Sequence, residues 1–179
     1  SDVILVLLMY IPMVALLAKF PVKKWLQGIW KVWVVTASTT SSSGSLPITT
    51  AVTNDEFGVS SELSSFSLPL GATINMNGGC IYYAAAIVMT AQIYGMNLTP
   101  SALVNIIIST VLVAMGCPGV PGGAIIMTTI LLTNMGLPLE IVGLIAGIFR
   151  LIDMANTTFN VTGDVVTTMV EARSEGMMH

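Results

Sequence analysis

The sequence predicts an all-α membrane protein built from transmembrane helices and two re-entrant helical hairpins. Three observations carry that prediction. Apolar residues make up 54% of the 179-residue chain and charged residues only 8%, with a mean hydropathy of +0.87. Soluble domains carry about 25% charged residues, so most of the solvent here is lipid. Next, two apolar stretches are broken by runs that no lipid-facing helix carries, TASTTSSSGSLPITT at 36–50 and GCPGVPGG at 116–123. Last, the segment IDMANTTFNVTGD at 152–164 sets two acids and two asparagines inside an otherwise apolar helix. Ionisable groups at membrane depth are expensive, and they usually face a protein interior and serve transport or ion binding.

Taken in order, residues 1–19 are a transmembrane helix, an apolar run close to the roughly 20 residues needed to cross a bilayer. The chain opens in mid-pattern, as a piece of a longer protein would. FPVKKW follows. Lys19, Lys23, Lys24 and Lys31 are four of only six basic residues, which places this loop on the cytoplasmic side. Residues 28–54 form the first re-entrant hairpin, with its tip at Ser41–Pro47. Non-helical polar backbone survives at membrane depth only where protein or a water-filled cavity covers it. NDEFGVSSELSS is a polar loop. Residues 66–95 are a transmembrane helix interrupted at Asn75–Gly79, where an unwound stretch frees carbonyls to bind a solute. Residues 101–135 repeat the hairpin design with GCPGVPGG as the tip. Residues 138–172 are the final helix. Each hairpin thus precedes one helix with an internal polar site, the internal symmetry of a secondary transporter built on inverted repeats.

On the final helix, at 100° per residue, Arg150, Asp153, Asn156, Thr157, Asn160 and Asp164 fall in a sector of about 120°. Such a stripe faces the bundle interior. Interhelical hydrogen bonds that only hold the bundle are the alternative reading. Arg150 and Asp153 are spaced to pair. The second acid then lacks a partner, and a bound cation with oxygen ligands would supply the charge. Cys80 and Cys117 read as buried thiols. The net charge of −3 argues against a nucleic-acid partner. Asn97-Leu98-Thr99 matches a glycosylation sequon.

SSSGSLP, GATINMNG, GVPGG and NVTGD occur in order and at separations that identify a known family. The chain resembles the transport domain of the dicarboxylate/amino acid:cation symporters, the family of glutamate transporters and their archaeal homologues. The resemblance covers nearly the whole chain. It implies a trimer, each protomer with a fixed scaffold, absent from these residues, and a transport domain that moves like an elevator. It implies no cofactor, sodium as coupling ion, and a multi-pass protein of the plasma membrane or bacterial inner membrane. It places the substrate carboxylate on Ser41, Ser42 and Ser43, the substrate amino group on Asp153, and further substrate contacts at Val120, Gly122, Asn156, Thr157 and Asn160. It assigns one sodium site to Gly71, Asn75, Asn160 and Asp164. A second falls to Thr73 with the gate carbonyls of Ala114, Met115 and Cys117.

Three departures from the family pattern matter. Acidic-substrate members carry arginine where Asn156 stands, and asparagine cannot match a bidentate guanidinium on a carboxylate. A small neutral amino acid such as serine, threonine or alanine is therefore expected. An acidic amino acid or C4-dicarboxylate, with Arg150 in the missing arginine's role, is the alternative. Asn77 and Gly79 replace an acid and a threonine of a deeper sodium site, which points to fewer sodium ions or to a proton. Thr40 and Met154 stand where the family places an auxiliary arginine, and Arg150 lies one turn before Met154. A channel fits poorly, since gated hairpins and buried acids belong to a carrier that occludes its solute. A hydrolase using Ser42 or Ser43 lacks a base nearby, the only histidine being His179.

Overall fold

The computed structural model describes residues 2–179. Almost all of them are helical, and no extended strand occurs among the described residues. The first helix, α1, covers 2–17 and is wound in wide π turns at Val6–Tyr10 and Met13–Leu17. Pro12 lies between those turns. It has no N–H to give, and its ring crowds the preceding carbonyls. The chain turns at Lys19, whose φ is +50°, just beyond α1, and the Arg173 guanidinium closes the helix end by donating to the Ala18 carbonyl at 2.8 Å. A cation on the last carbonyls of a helix satisfies orphan acceptors and the local dipole together.

α2 (Val22–Thr39) and α3 (Ser42–Asp55) follow. Here the structure differs from the expected Ser41–Pro47 tip. The break is confined to Thr40, with φ +50°, and Ser41; the serine run is the first turn of α3. Two local effects explain it. Ser41 caps α3 by accepting from the Gly44 N–H at 3.0 Å. Ser45, Thr49 and Thr53 then donate their hydroxyls to the carbonyls four residues back at 2.7–2.9 Å, so their polarity is met within the helix. α2 also starts earlier than expected, so Lys23 and Lys24 lie in its first turn rather than in a loop.

α4 (Ser61–Ile74) is capped by Ser60 and begins inside the segment expected as a polar loop. α5 is Asn77–Ile93. The interruption between them is only Asn75 and Met76, not Asn75–Gly79, because Gly78 and Gly79 serve as the tightly packed first turn of α5. α6 (Pro100–Met115), capped by Thr99, and α7 (Gly123–Asn134) flank the Gly/Pro tip, and α8 runs from Glu140 to Ser174. Among the described helices, α8 alone is long and apolar enough to cross a membrane, with a mean hydropathy of 1.4. Its 35 residues span about 52 Å.

The core is divided, and α8 joins its parts. Val161, Val165, Val166, Met169 and Ala172 pack with Tyr10, Val14, Trp25, Ile29, Val32 and Leu68. Ile141, Ile145 and Phe149 pack instead with buried residues of α5, α6 and α7. The polar residues 153–164 lie at the seam. The C-terminal tail pairs with the α3–α4 loop, where Ser60 N–H donates to Met177 O and His179 N–H to Gly58 O. That pairing has no sequence signal. Leu103, Val104, Ile107, Ile108, Val111 and Leu112 of α6 point outward, as do Leu144, Ile148 and Leu151 of α8.

Candidate functional site

Helix ends meet at the seam between the two cores. The first tip and the second touch directly. The Ser41 hydroxyl donates to Gly119 O at 2.8 Å, and the Ser43 N–H donates to the same carbonyl at 3.2 Å. Gly119 has no room for a side chain, since a Cβ there would lie 2.6 Å from Ala72 O and 3.1 Å from Ser43 Oγ. α3, the end of α4 and the second tip therefore converge on one glycine. Gly122, with φ +80°, turns the chain into α7 and gives its N–H to Asp153 Oδ2 at 3.2 Å.

Between the tips lies a cavity of about 20 Å³, lined by Ser42, Cys117, Val120, Asp153, Asn156 and Thr157, with Asn160 at its floor. Its volume suits about one water molecule. Asn156 is 4% exposed, and its Nδ2 has no hydrogen-bond partner in the protein. Asp153 is also buried. The expected Arg150–Asp153 pair does not form. Arg150 turns to the first tip, donating to Thr40 Oγ1 at 2.7 Å and Ser38 O at 3.1 Å. The C-terminal end of α2 attracts it, because the last carbonyls of a helix carry partial negative charge.

One turn deeper, α5 and α8 are stitched together. Asn160 Oδ1 accepts from the Gly78 N–H at 2.8 Å, and its Nδ2 lies 3.2 Å from Met76 Sδ. Asn75 donates from Nδ2 to Asp164 Oδ1 at 2.7 Å. Gly71 is adjacent; a Cβ there would fall 2.6 Å from that same carboxylate oxygen. Asp164 is 4% exposed, and the ion pair found among the described residues is Lys31–Glu56, on the surface. Asp164 is thus a buried anion with no protein cation beside it, next to the carbonyls of an interrupted helix, while Asn75 donates to it and Asn160 Oδ1 accepts from the Gly78 N–H. A hard cation bound there would be met by the carboxylate and backbone carbonyl oxygens. A second, open cavity of about 350 Å³ is lined by Gly71, Asn75, Met115, Asp164 and Glu171.

The structure therefore brings Ser41, Ser42, Ser43, Val120, Gly122, Asp153, Asn156, Thr157 and Asn160 together at one seam, with Gly71, Asn75 and Asp164 beneath them. Ala114 is buried at the end of α6, and Met115 reaches the second cavity. Thr73 stands apart. It is exposed, and its hydroxyl donates to Pro69 O at 3.0 Å. Sequence reasoning missed Tyr10 and Tyr83. Tyr10 sits in an unremarkable apolar run, yet its hydroxyl donates to Phe159 O at 3.2 Å and accepts from Asn77 Nδ2 at 3.0 Å. Only the fold shows that α1 passes beside the seam.

The profile of the sodium:dicarboxylate symporter family matches residues 2–174. The chain belongs to this family. An excitatory amino acid transporter of Caenorhabditis elegans is 36% identical over 141 residues, covering 79% of this chain and 28% of the relative. Excitatory amino acid transporter 2 of Mus musculus is 34% identical over 137 residues, covering 76% and 24%. Excitatory amino acid transporter 1 of Homo sapiens is 34% identical over 137 residues, covering 76% and 25%. The chain spans about a quarter of the length of these relatives. The family consists of membrane-embedded, sodium-coupled symporters, not enzymes, which sets the hydrolase reading aside.

Proposed function

We propose that this chain is the solute-binding part of a sodium-coupled symporter for small neutral amino acids. The observation that carries the reading is Asn156. It is buried, it lines the cavity between the tips, and its amide donor has no protein partner. An amide can meet a hydroxyl, or lie beside a methyl, but it cannot neutralise a second carboxylate. The charged guanidinium nearby, Arg150, is bonded to Ser38 and Thr40 instead.

The remaining ends of an amino acid have natural partners. The donors that Ser41 and Ser43 present to Gly119 O are those a carboxylate oxygen requires, so the α-carboxylate takes the place of that carbonyl when the tips part. Asp153 receives the α-ammonium as the Gly122 N–H leaves it. Thr157, Val120 and Gly122 complete the walls. Sodium is co-substrate, held by Asp164 with Asn75, Asn160 and Gly71. We place a second sodium with Thr73 and the carbonyls of Ala114, Met115 and Cys117, a set that closes only when the Thr73 hydroxyl turns away from Pro69 O. The loss of an acid at Asn77 goes with fewer coupled sodium ions, or with a proton in place of one.

We further place residues 28–54 and 101–135 as re-entrant hairpins of an elevator-type transport domain with inverted repeats. The trimer contacts lie in a scaffold outside these residues, in a multi-pass protein of the plasma membrane or bacterial inner membrane. An acidic amino acid or C4-dicarboxylate substrate remains the second reading. The names of the relatives favour it, as does the bond from Arg150 to Thr40, itself a wall of the cavity. Uptake by the full-length protein in proteoliposomes separates the two. Serine uptake driven by an inward sodium gradient supports the neutral reading. Aspartate uptake that Arg150→Ala removes supports the second. Proton-driven uptake alone removes sodium as the coupling ion.

A further inference from the structure

The cavity between the tips holds a second buried donor that no other role accounts for. Tyr83 is 0% exposed and lines the same cavity as Asn156. Its hydroxyl lies beside the Cys117 thiol but makes no hydrogen bond of good geometry. A thiol is in any case a weak partner. Buried polar groups are nearly always hydrogen-bonded, and two orphans on one small cavity indicate a group that visits it.

The first turn of α5 brings the two residues together. A Cβ on Gly78 would lie 2.8–2.9 Å from the Asn156 backbone, so α8 rests directly on that glycine. A Cβ on the next residue, Gly79, would lie 3.6 Å from Tyr83 Cε2. Bare glycine at both positions leaves the Asn156 amide and the Tyr83 ring on the same opening. From this geometry we propose that Tyr83 and Asn156 form a subsite for a hydroxyl on the substrate side chain, and that the preferred substrate is a β-hydroxy amino acid. This deepens the neutral-amino-acid reading and rests on it.

The chemistry is complementary. The substrate oxygen accepts from Asn156 Nδ2–H with one lone pair and from the Tyr83 O–H with the other, so both buried donors are met. A methyl group in that place leaves both buried donors unpaired, and such a mismatch penalises the analogue more than it rewards the substrate. A carboxylate would add negative charge beside Asp153 with no cation in the cavity to offset it.

The test compares serine with alanine in the full-length protein, by sodium-driven uptake in liposomes and by calorimetric binding in detergent, which needs no turnover. The parent protein is expected to prefer serine. Tyr83→Phe deletes only the hydroxyl and should lower the serine-to-alanine ratio roughly tenfold. Asn156→Ala should move the ratio in the same direction. The double variant should lose little more than the larger single effect, since both groups hold one oxygen. A ratio unchanged in Tyr83→Phe overturns the subsite and leaves the neutral-substrate reading standing, as does full additivity of the two changes. Uptake of aspartate and not of serine or alanine overturns both.

Discussion

At the residue scale the site is a set of buried polar side chains whose partners come from other helices. Asp164 is the sharpest case. Its carboxylate is held by Asn75 and pressed by Gly71, with no protein cation beside it. Asp164→Asn keeps the shape and removes the charge. Losing the charged partner of a buried pair costs roughly 2–5 kcal/mol. Sodium affinity, read as the midpoint of sodium-dependent uptake or of sodium-induced thermal stabilisation, should weaken by more than about tenfold. A midpoint that does not move would mean that Asp164 serves packing alone. Arg150→Ala should instead cost about 1 kcal/mol or less in stability, because the guanidinium is exposed and solvent competes for its bonds. If the neutral reading holds, substrate selectivity will not change in that variant. Tyr83 and Asn156 belong at this scale too, since their unmatched donors are local facts that predict a ligand.

At the element scale, function depends on where helices stop. The short breaks at 40–41, 75–76 and 116–122 each deliver backbone groups to the seam, and glycines decide how closely they approach. Gly119→Ala places a methyl against Ala72 O and Ser43 Oγ, so the tips can no longer close on each other. Substrate uptake should fall by more than tenfold, while the far core, measured by helical circular dichroism, stays intact. Gly78→Ala strikes the Asn156 backbone across the α5–α8 contact. Overpacking of that kind costs about 1–3 kcal/mol, visible as a lowered melting temperature even without substrate. Much of this scale was legible beforehand, because Ser/Thr, Asn/Gly and Gly/Pro clusters mark interruptions. Their lengths were not. The serine run looked like loop because its hydroxyls prefer loops, yet back-bonding to carbonyls four residues earlier keeps it helical.

At the scale of the whole molecule, α8 is the spine. Its first half packs on α5, α6 and α7, its second half on α1 and α2, and the polar stripe lies where those two packings meet. Apolar side chains cover the outer faces of α6 and the first half of α8, Leu112 at 64% exposure and Leu151 at 71%. Exposed apolar area this continuous demands lipid or another protein surface. The 179-residue chain should therefore stay monodisperse only in detergent or lipid. Size-exclusion chromatography in plain buffer tests this, and a stable soluble monomer would contradict a membrane placement.

The membrane class, the order of helices and breaks, the polar stripe on the last helix and the family itself were all determined by sequence. Each depends on composition or on short-range periodicity, which a linear string preserves. The partners were decided by tertiary structure alone. Arg150 reaches Thr40 across 110 positions rather than Asp153 three residues away, Tyr10 reaches Phe159, and Tyr83 shares an opening with Asn156. Spacing along one helix states which side chains share a face. Which groups from other helices come to that face depends on how the helices pack, and no pattern within a single helix encodes it.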